Sequence, residues 1–407
     1  MGGFECSTHR RRDGLRLDLV DSTRHDEFAR MDYLRLAGSG IRTSRDGVRW
    51  HLIESSPGHY DFTSIASQMN AAEDAGVMVI WDLFHYGYPD DLDIFSADFP
   101  KRFADFAAAF GGFHLNETGR APIVVPVNEI SFYSWVAGDE AHFFPYATGR
   151  GDELKGQLVR ATLAAVSAIR SIAPAARFLA SEPAVYVTSR DGEPWNAEDA
   201  ESYRLSQYQT LDMLSGRLSP ELGGGPEFLD IIGLNYYPHN QWYYPDREMI
   251  SINDHAYRPF NEILSEIYSR YDRPLIISET GTEGENRADW FSYVAAECRT
   301  AIASGVDLQG ICLYPIVDHP GWDDDRHCPN GLWGYADEEG NREAYEPLRR
   351  ELRSFQLAST ATRFNLRPPI TPSIRPDIAS NVLSHDILPR NSRTRERRRS
   401  ASSSSAA

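Results

Sequence analysis

Two glutamates directly follow strongly apolar segments of the sequence. Glu129 ends the segment Ile123–Glu129, and Glu279 follows the aliphatic residues that begin Leu275–Gly281. Because an unpaired buried carboxylate is unfavourable, a glutamate at such a place is expected to face an open, polar edge. Two carboxyl groups about 5–5.5 Å apart can cleave a glycosidic bond with retention of configuration. The pattern therefore predicts Glu279 as the nucleophile of such a reaction and Glu129 as its acid/base.

Short apolar segments alternate with longer amphipathic segments over most of the chain. The apolar segments are aliphatic or β-branched at consecutive positions, which is typical of strands buried on both faces of a parallel sheet. Eight strands are predicted, at Gly3–Cys6, Gly40–Ser44, Val77–Leu83, Ile123–Asn128, Arg177–Ser181, Leu229–Asn235, Pro274–Glu279 and Leu308–Tyr314. The clearest predicted helices are Arg24–Ala37, Phe99–Leu115, Leu154–Ile172, Ala200–Leu214, Phe260–Arg270, Ala288–Ala303 and Ala344–Phe355.

This alternation of strands and helices is compatible with an open doubly wound sheet or with a closed barrel. No Gly-x-Gly-x-x-Gly turn follows the first predicted strand, so the dinucleotide-binding form of the open sheet lacks its usual motif. Polar side chains stand where most predicted strands end, among them Arg42, His85, Glu182 and Tyr314. In a (β/α)₈ barrel these ends share one rim, which forms the active site. The sequence therefore predicts a single (β/α)₈ TIM barrel with the two glutamates on strands four and seven.

The motifs around the two glutamates resemble those of family 1 glycoside hydrolases, which belong to the wider group of (β/α)₈ retaining glycosidases. Asn128-Glu129 resembles the Asn-Glu-Pro acid/base motif of that family, and Ser278–Gly281 resembles its Thr-Glu-Asn-Gly nucleophile motif. Gly233–Tyr237 resembles the family's sixth-strand motif. The resemblance spans roughly residues 2–355. It implies a β-glucosidase-like retaining glycoside hydrolase that acts on a carbohydrate or glycoside and uses no cofactor.

The same resemblance implies a set of supporting residues. Ile41–Ser44 resembles the second-strand motif, whose arginine pairs with the nucleophile. This implies Arg42 for that role, with Arg45 and Arg49 as alternatives. Further residues are expected at the sugar or the nucleophile: Asn128 at the sugar 2-hydroxyl, His85 at another hydroxyl, Asn235 in the sugar site, and Tyr237 on the nucleophile.

The sequence departs from the family at the positions that recognise sugar hydroxyls. Tyr314 stands where a platform tryptophan is usual, whereas Trp322 matches the second tryptophan of the same motif. Gly321 replaces a glutamate that holds the outer hydroxyls, Tyr86 stands in place of a tryptophan, and Glu5 is expected in place of a sugar-binding glutamine. Losing a charged hydrogen-bond acceptor costs about 1.5–3 kcal/mol, which is enough to change substrate preference. The identity of the sugar therefore stays open.

Several alternatives remain on the sequence alone. Glu182 competes with Glu129 for the acid/base role. The loop Trp322–Cys328 contains three aspartates and a histidine, a set that can bind a metal, but Arg326 can neutralise them and no metal is predicted. Hydrolysis, transfer of the sugar to another alcohol, and carbohydrate binding without turnover are all compatible with the pattern. A serine hydrolase is disfavoured because no Gly-x-Ser-x-Gly motif is present.

The charge and composition of the chain indicate which kinds of partner it binds and in which cellular compartment it is expected. The net charge of −18 argues against nucleic acid or an anionic membrane as a partner of the main domain. The four cysteines show no Cys-x-x-Cys spacing, so free thiols in a reducing compartment are expected. The N-terminus has no apolar signal segment, and no stretch reaches the length of a membrane span. A soluble, cytoplasmic protein is therefore expected, and its oligomeric state stays open.

The end of the chain has a different composition. Residues 357–407 are rich in Pro, Arg and Ser, with nine Arg against only Asp377, Asp386 and Glu396. So little apolar content does not support a core of its own. The prediction is a barrel over residues 1–356 followed by a disordered tail over residues 357–407.

Overall fold

The computed structural model describes residues 1–361, with side chains to residue 358. Eight parallel strands form a closed barrel in which each strand pairs with the next along the chain and the last pairs with the first. This confirms the predicted (β/α)₈ TIM barrel. The strands are β1 Gly2–Gly3, β2 Thr43–Gly47, β3 Met78–Asp82, β4 Ile123–Val125, β5 Arg177–Pro183, β6 Ile231–Asn235, β7 Leu275–Thr280 and β8 Leu308–Leu313.

Helices surround the barrel and connect its strands. Within the described residues the α-helices are α1 Leu19–Ser22, α2 His25–Gly38, α3 Trp50–Ile53, α4 Thr63–Ala75, α5 Asp98–Thr118, α6 Ile130–Gly138, α7 Gly151–Ile172, α8 Ala197–Leu205, α9 Gln209–Leu214, α10 Phe260–Tyr271, α11 Arg287–Ala303 and α12 Glu346–Ala361. Short 3₁₀ turns lie at Pro194–Asn196, Ser206–Tyr208, Pro220–Leu222, Pro226–Phe228 and Gly284–Asn286.

Over residues 1–361, four small two-stranded sheets lie in the loops. One is parallel and pairs Tyr186–Ser189 with Gln241–Tyr244, which joins the loops that follow β5 and β6. The other three are antiparallel: Glu54–Ser56 with His59–Tyr60, His319–Pro320 with His327–Cys328, and Trp333–Ala336 with Arg342–Ala344. The last two shape the long connection between β8 and α12.

Two apolar cores support the barrel. A large core fills the space between the strands and the helices. A small inner core fills the barrel itself and consists of Ile80, Val125, Leu179, Ile231 and Ile276, with Met1 and Ile123 packed against it. Charged groups held near such a core lie in a low effective dielectric, so each charge acts strongly on its neighbours.

Polar side chains replace the aliphatic layer as the strands approach the rim. On β5, Leu179 belongs to the inner core, and Ser181 is the next residue that faces inward. The Ser181 hydroxyl donates to Asn235 Oδ1 at 3.0 Å, and the Ser278 hydroxyl donates to the same oxygen at 2.7 Å. Gly233 makes room for this cluster, since a Cβ there would lie 2.6 Å from Ser278 Oγ. The barrel is therefore closed by a hydrogen-bonded polar layer directly below the rim.

A buried ionic cluster joins α2 to β2. His25 lies between two carboxylates, with Nδ1 at 2.9 Å from Asp32 and Nε2 at 2.9 Å from Asp46. Arg342 also binds Asp32, and the Phe4 ring stacks on His25 at 3.5 Å between centroids. Burial alone would lower the pKa of His25, but the carboxylates of Asp46 and Asp32 overcome this and raise the pKa to about 9. The histidine is therefore a structural cation that fixes the strand carrying Arg45.

Replacing this cation should destabilise the protein in a pH-dependent way. Because the pKa of His25 is about 6.5 when unfolded and about 9 when folded, its contribution is fully present below pH 6.5 and is lost as the pH rises through 9. We expect His25→Gln to lower the free energy of unfolding by roughly 3 kcal/mol at about pH 6. Denaturant unfolding of both proteins between about pH 6 and pH 10 measures the difference. A difference that stayed constant over that range would contradict a charged His25.

The remaining general predictions concern the cysteines, membrane spans and the tail. All four cysteines are buried and free of disulfides. No helix among the described residues is long and apolar enough to cross a membrane. The final helix α12 continues to Ala361, past the boundary predicted at residue 356. The predicted disordered tail beyond this helix lies outside the described residues.

Candidate active site

Glu129 stands at the carboxyl-end rim of the barrel, between β4 and α6. Its backbone is left-handed, with φ 46° and ψ 64°, a conformation that costs a residue with a side chain about 1–2 kcal/mol. Its amide N–H donates to the carbonyl oxygen of Ser181 on the neighbouring strand at 2.9 Å. Asn235 Nδ2 donates to its Oε1 at 2.8 Å, and the Tyr86 hydroxyl donates to its Oε2 at 3.0 Å. The strained turn thus presents the carboxyl group to the cleft.

Glu279 reaches the cleft through an irregularity in β7. Ser278 faces the barrel interior, so strict alternation would turn the next side chain outward. Between Ile277 and Glu279 the pairing with β6 shifts register, and such a bulge re-aims the side chain that follows it. The Glu279 side chain accepts from Arg45 Nη1 at 2.9 Å on Oε1 and from the Tyr237 hydroxyl at 2.8 Å on Oε2. Both oxygens of this carboxylate are therefore held in place.

Arg45 is the centre of the ionic network and is fully buried. Its Nε and Nη2 donate to the two oxygens of Asp82 at 3.1 and 2.8 Å. Its Nη1 donates to Glu279 and to the carbonyl oxygen of Ser278, and Nη2 donates also to Asn128 Oδ1 at 3.1 Å. Each of the five guanidinium N–H bonds thus has an acceptor. Asp82, the last residue of β3, was not identified from the sequence.

Arg42 does not pair with Glu279, which corrects the sequence prediction. β2 begins at Thr43, so Arg42 precedes the strand, is exposed, and directs Nη1 to the carbonyl oxygen of Ala75 at 3.5 Å. Arg45 lies two residues after Thr43 and therefore shares its inward-facing side. The other alternative, Arg49, forms ion pairs with two partly exposed aspartates. The strand extends further into polar sequence than predicted, because the barrel interior is itself polar at this level.

The two glutamates have different charge environments. Burial and the negative charge of Glu279 raise the pKa of Glu129 to about 8, against the opposing hydrogen bonds from Asn235 and Tyr86. Burial also raises the pKa of Glu279, but the adjacent Arg45 guanidinium opposes that rise. Only Glu279 has a cation in contact with it. At neutral pH the arrangement favours a proton on Glu129 and a negative charge on Glu279.

Asn128 and His85 line one side of the cleft. Their hydrogen-bond partners determine the orientation of the Asn128 amide and the position of the His85 proton. Arg45 can only donate, so Asn128 must present Oδ1 to it and Nδ2 to its other neighbours. Asn128 Nδ2 donates to the Tyr86 hydroxyl at 3.0 Å and to His85 Nε2 at 3.2 Å. His85 Nε2 is therefore an acceptor, and its proton lies on Nδ1, which is 3.2 Å from Cys6 Sγ. Burial and Arg45 hold the pKa of His85 well below its usual value, so the ring is neutral.

Cys6, Asp82 and His85 converge closely enough to suggest a metal site. The proton on His85 Nδ1 occupies the lone pair that would bind a metal ion. If the proton were on Nε2 instead, it would point at the amide protons of Asn128. Both Asp82 oxygens are already bound by Arg45. The donor set does not fit a metal ion, because its members already form one hydrogen-bonded chain.

An aromatic group lies beside Glu129. Tyr86 has a left-handed backbone, φ 74°, and its ring centroid is 6.0 Å from that of Trp322. His9 stacks on Phe143 at 3.7 Å between centroids and lies 5.5 Å from Trp322. Neither ring nitrogen of His9 has a hydrogen-bond partner among the described residues, and burial lowers its pKa to about 3. The sequence did not identify His9, a lone histidine in a run of arginines.

Glu182 lies on the outer side of the barrel wall, away from the cleft. It follows the inward-facing Ser181, and its carboxyl group accepts hydrogen bonds from the amide at 3.2 Å and the hydroxyl of Ser131 in the first turn of α6. Burial raises the pKa of Glu182 to about 7. This residue supports the start of the helix that follows Glu129. Its position removes it as an alternative acid/base.

The loop that suggested a metal is an ion-paired rim. Arg326 binds both oxygens of Glu283 at 2.8 and 2.7 Å and lies 3.8 Å from Asp324. At the start of the loop, a Cβ on Gly321 would lie 2.2 Å from Asp324 Oδ1. A side chain at the position that departs from the family motif would therefore require the Asp324 carboxylate to move.

The structure brings together most of the residues predicted for the site. Tyr314 lies below the rim with its ring 5.2 Å from Arg45 Cζ, and Glu5 Oε1 lies 3.8 Å from His85 Nε2. Trp322 lies at the edge, in the aromatic group. The predicted residues that converge are Glu5, His85, Asn128, Glu129, Asn235, Tyr237, Glu279, Tyr314 and Trp322. Arg42 does not, and Arg45, Asp82, Cys6 and His9 join the set.

Comparison with solved structures identifies the fold. The chain superposes on a family 1 β-glucosidase from Thermotoga maritima with a TM-score of 0.68 at 14% identity, covering 82% of this chain and 87% of that chain. The same enzyme in complex with isofagomine lactam gives 0.66 at 15% identity, with the same coverage. The monomer of a hyperthermophilic β-glucosidase mutant that forms a dodecamer in the crystal gives 0.66 at 16% identity, covering 81% and 88%.

No protein-family model and no curated protein matches the sequence. The fold is thus that of family 1 β-glucosidases, at 14–16% sequence identity. At such low identity the similarity shows the fold alone. The chemistry has to be inferred from the residues of the site.

Proposed function

We propose that the protein is a retaining β-glycosidase that cleaves a β-linked glycoside through a covalent glycosyl-enzyme intermediate on Glu279. The observation that carries this proposal is the asymmetry of the two buried carboxyl groups. Glu279 is held by Arg45 and Tyr237, whereas Glu129 is held by neutral groups beside a negative charge. One carboxylate and one carboxylic acid facing one cleft are what the double-displacement mechanism requires.

The first half of the reaction forms the intermediate. Glu279 attacks the anomeric carbon, and the bond from that carbon to the leaving oxygen breaks as Glu129 transfers its proton to the oxygen. Tyr237 and Arg45 orient the attacking carboxylate. In this proposal Asn128 binds the sugar 2-hydroxyl, where hydrogen bonds strengthen in the transition state. Its amide protons are directed to Tyr86 and His85, so Oδ1 would accept from that hydroxyl.

The second half releases the sugar. Once Glu279 is an ester it carries no charge, and the repulsion that raises the pKa of Glu129 disappears. Glu129, now ionised, removes a proton from water as the water oxygen attacks the anomeric carbon and the ester bond breaks. The same step with another alcohol in place of water would give transglycosylation, which uses the same residues.

The structural neighbours support a carbohydrate ligand. The Thermotoga maritima β-glucosidase was solved with isofagomine lactam, glucoimidazole and deoxynojirimycin, which are sugar-like molecules. A barrel with the same architecture and a carboxyl pair at its rim is suited to the same class of ligand. A carbohydrate-binding barrel without turnover is the second candidate, since Gly321 and Tyr314 depart from the family motif.

Covalent labelling tests the proposal. The protein is incubated with aryl 2-deoxy-2-fluoro-β-glycosides that have good leaving groups, in the gluco, galacto and manno series, and weighed by mass spectrometry. We expect one glycosyl unit per chain, located on the peptide that contains Glu279, because the fluorine slows hydrolysis of the ester. Glu182→Gln serves as the control and should be labelled normally. Absence of labelling together with absence of turnover of any aryl β-glycoside would favour the binding barrel.

The role of Glu129 gives a second test. Glu129→Ala should reduce kcat/KM by on the order of 10²–10⁴-fold for glycosides with poor leaving groups, because these need protonation of the leaving oxygen. The reduction should be much smaller for 2,4-dinitrophenyl glycosides, whose leaving group departs as an anion. Steady-state rates across a series of aryl leaving groups measure this difference. Equal reductions across the series would show that Glu129 is not the acid.

A further inference from the structure

Glu5 is a carboxyl group in the cleft that the proposed mechanism does not use. Its side chain is 5% exposed. The amide and hydroxyl of Ser7 both donate to Oε1, at 2.9 and 2.6 Å. No described residue donates a hydrogen bond to Oε2. A buried carboxylate with one free oxygen is unfavourable unless something else pairs with it.

No arginine or lysine among the described residues is in contact with Glu5. The nearest basic group is His85, whose Nε2 lies 3.8 Å from Oε1. That nitrogen accepts a hydrogen bond from Asn128 and the ring is neutral, so no ion pair forms there. The five N–H bonds of Arg45 are all directed to other acceptors. Burial raises the pKa of the Glu5 carboxyl group, and the hydrogen bonds from Ser7 and the more distant Arg45 guanidinium oppose that rise. When ionised, Glu5 therefore has no contacting counter-charge among the described residues.

The cleft as a whole has more negative than positive charge. Asp82 and Glu279 share the single guanidinium of Arg45, which leaves one negative charge in that group, and Glu5 adds a second when ionised. Burial, Glu279 and, less strongly, Glu5 raise the pKa of Tyr237, so the field of Glu5 extends across the cleft to the group that holds the nucleophile. An excess of negative charge at a buried site favours a cationic ligand.

The position of Glu5 indicates which part of a sugar it would meet. Asn128 Nδ2 and Glu5 Oε1 both lie near the same histidine nitrogen, at 3.2 and 3.8 Å from His85 Nε2. With Asn128 at the 2-hydroxyl, we infer that Glu5 meets the next positions of the sugar ring, away from the anomeric carbon. This corresponds to carbon 3 or carbon 4.

We propose that the substrate is a β-glycoside of an amino sugar, whose ammonium group at carbon 3 or 4 binds the free Oε2 of Glu5. This proposal rests on the retaining glycosidase function above and names the substrate class of the same site. A cation there would form an ion pair with the Glu5 carboxylate. A neutral hydroxyl would leave the carboxylate without a counter-charge.

Substrate comparison tests the proposal. The aryl β-glycoside with the highest kcat/KM in the gluco, galacto and manno series is compared with its 3-amino-3-deoxy and 4-amino-4-deoxy analogues. At about pH 6.5, where the amine is protonated, we expect one analogue to exceed the parent about 10- to 100-fold in kcat/KM. In Glu5→Gln this ratio should fall to about 1 or below. Glu182→Gln, which changes a buried carboxyl group outside the cleft, should keep the ratio of the wild type.

The wild type supplies a readout that needs no variant. As the pH rises through about 8 the amine loses its proton, and the preference for the amino analogue should decline towards 1. A wild type that prefers the neutral parent, or a preference unchanged in Glu5→Gln, would overturn the proposal. Labelling of Glu279 by the neutral 2-fluoro glycosides reports separately on the glycosidase function, so failure of one proposal is distinguishable from failure of both.

Discussion

The variant Glu279→Gln should lose turnover by on the order of 10⁴–10⁶-fold, because the amide cannot form the glycosyl ester. The substitution preserves size. Arg45 can still donate to the amide oxygen, and the Tyr237 hydroxyl can accept from the amide NH2 group. Initial rates with an aryl β-glycoside that has a good leaving group measure the loss. Circular dichroism and thermal unfolding check that the variant is folded. Glu182→Gln is the matched control, since it also removes a buried carboxylate but lies outside the cleft.

A variant with a smaller side chain at the same position tests the same role by the configuration of its product. Glu279→Gly opens space for azide, which can attack the anomeric carbon from the face that the carboxylate occupied. The product should be a glycosyl azide with the opposite anomeric configuration, identified by nuclear magnetic resonance. If Glu279→Gln retained substantial turnover, or if azide gave the product with the original configuration, Glu279 would not be the nucleophile.

Arg45→Met should destabilise the protein and abolish activity, whereas Arg42→Met should do neither. Removing the guanidinium leaves Asp82 and Glu279 buried without a cation, and breaking such a pair costs about 3–5 kcal/mol. It also favours the protonated form of Glu279, so turnover at neutral pH should fall on the order of 10²-fold or more. Denaturant unfolding and steady-state rates measure the two effects. Arg42 is exposed and makes one long contact to a backbone oxygen, so its loss should change stability by less than about 0.5 kcal/mol.

The double variant Asp82→Asn with Arg45→Met separates the loss of stability from the loss of activity. With only Glu279 left as an uncompensated carboxylate, part of the stability should return while activity stays low. Equal effects of Arg45→Met and Arg42→Met would contradict the network described for β2.

The barrel and the carboxyl pair could be predicted because both leave a local signal. Consecutive aliphatic residues mark strands buried on both faces, and a glutamate directly after such a strand is conspicuous. The polar residues that complete the site leave a weaker signal. Asp82 and Arg45 lie inside the barrel near the ends of strands, where the interior is polar and the hydrophobic pattern no longer marks the strand.

Two features of the backbone were also beyond the sequence pattern. Alternation along β7 would place Ser278 inside and Glu279 outside, and only the register shift beside β6 brings both inward. The assignment of Arg42 failed for a related reason, since one short motif fixed the register of β2 three residues too early. Side-chain direction depends on pairing between strands, which a single sequence does not reveal.

The left-handed backbone at Glu129 has a consequence for the stability of the barrel. Glycine would adopt that conformation without strain and would also remove a buried carboxyl group that the neighbouring charge destabilises. The requirements of a stable barrel alone would therefore favour glycine over glutamate at this position. The proposed acid/base chemistry explains a glutamate here, whereas the stability of the fold does not.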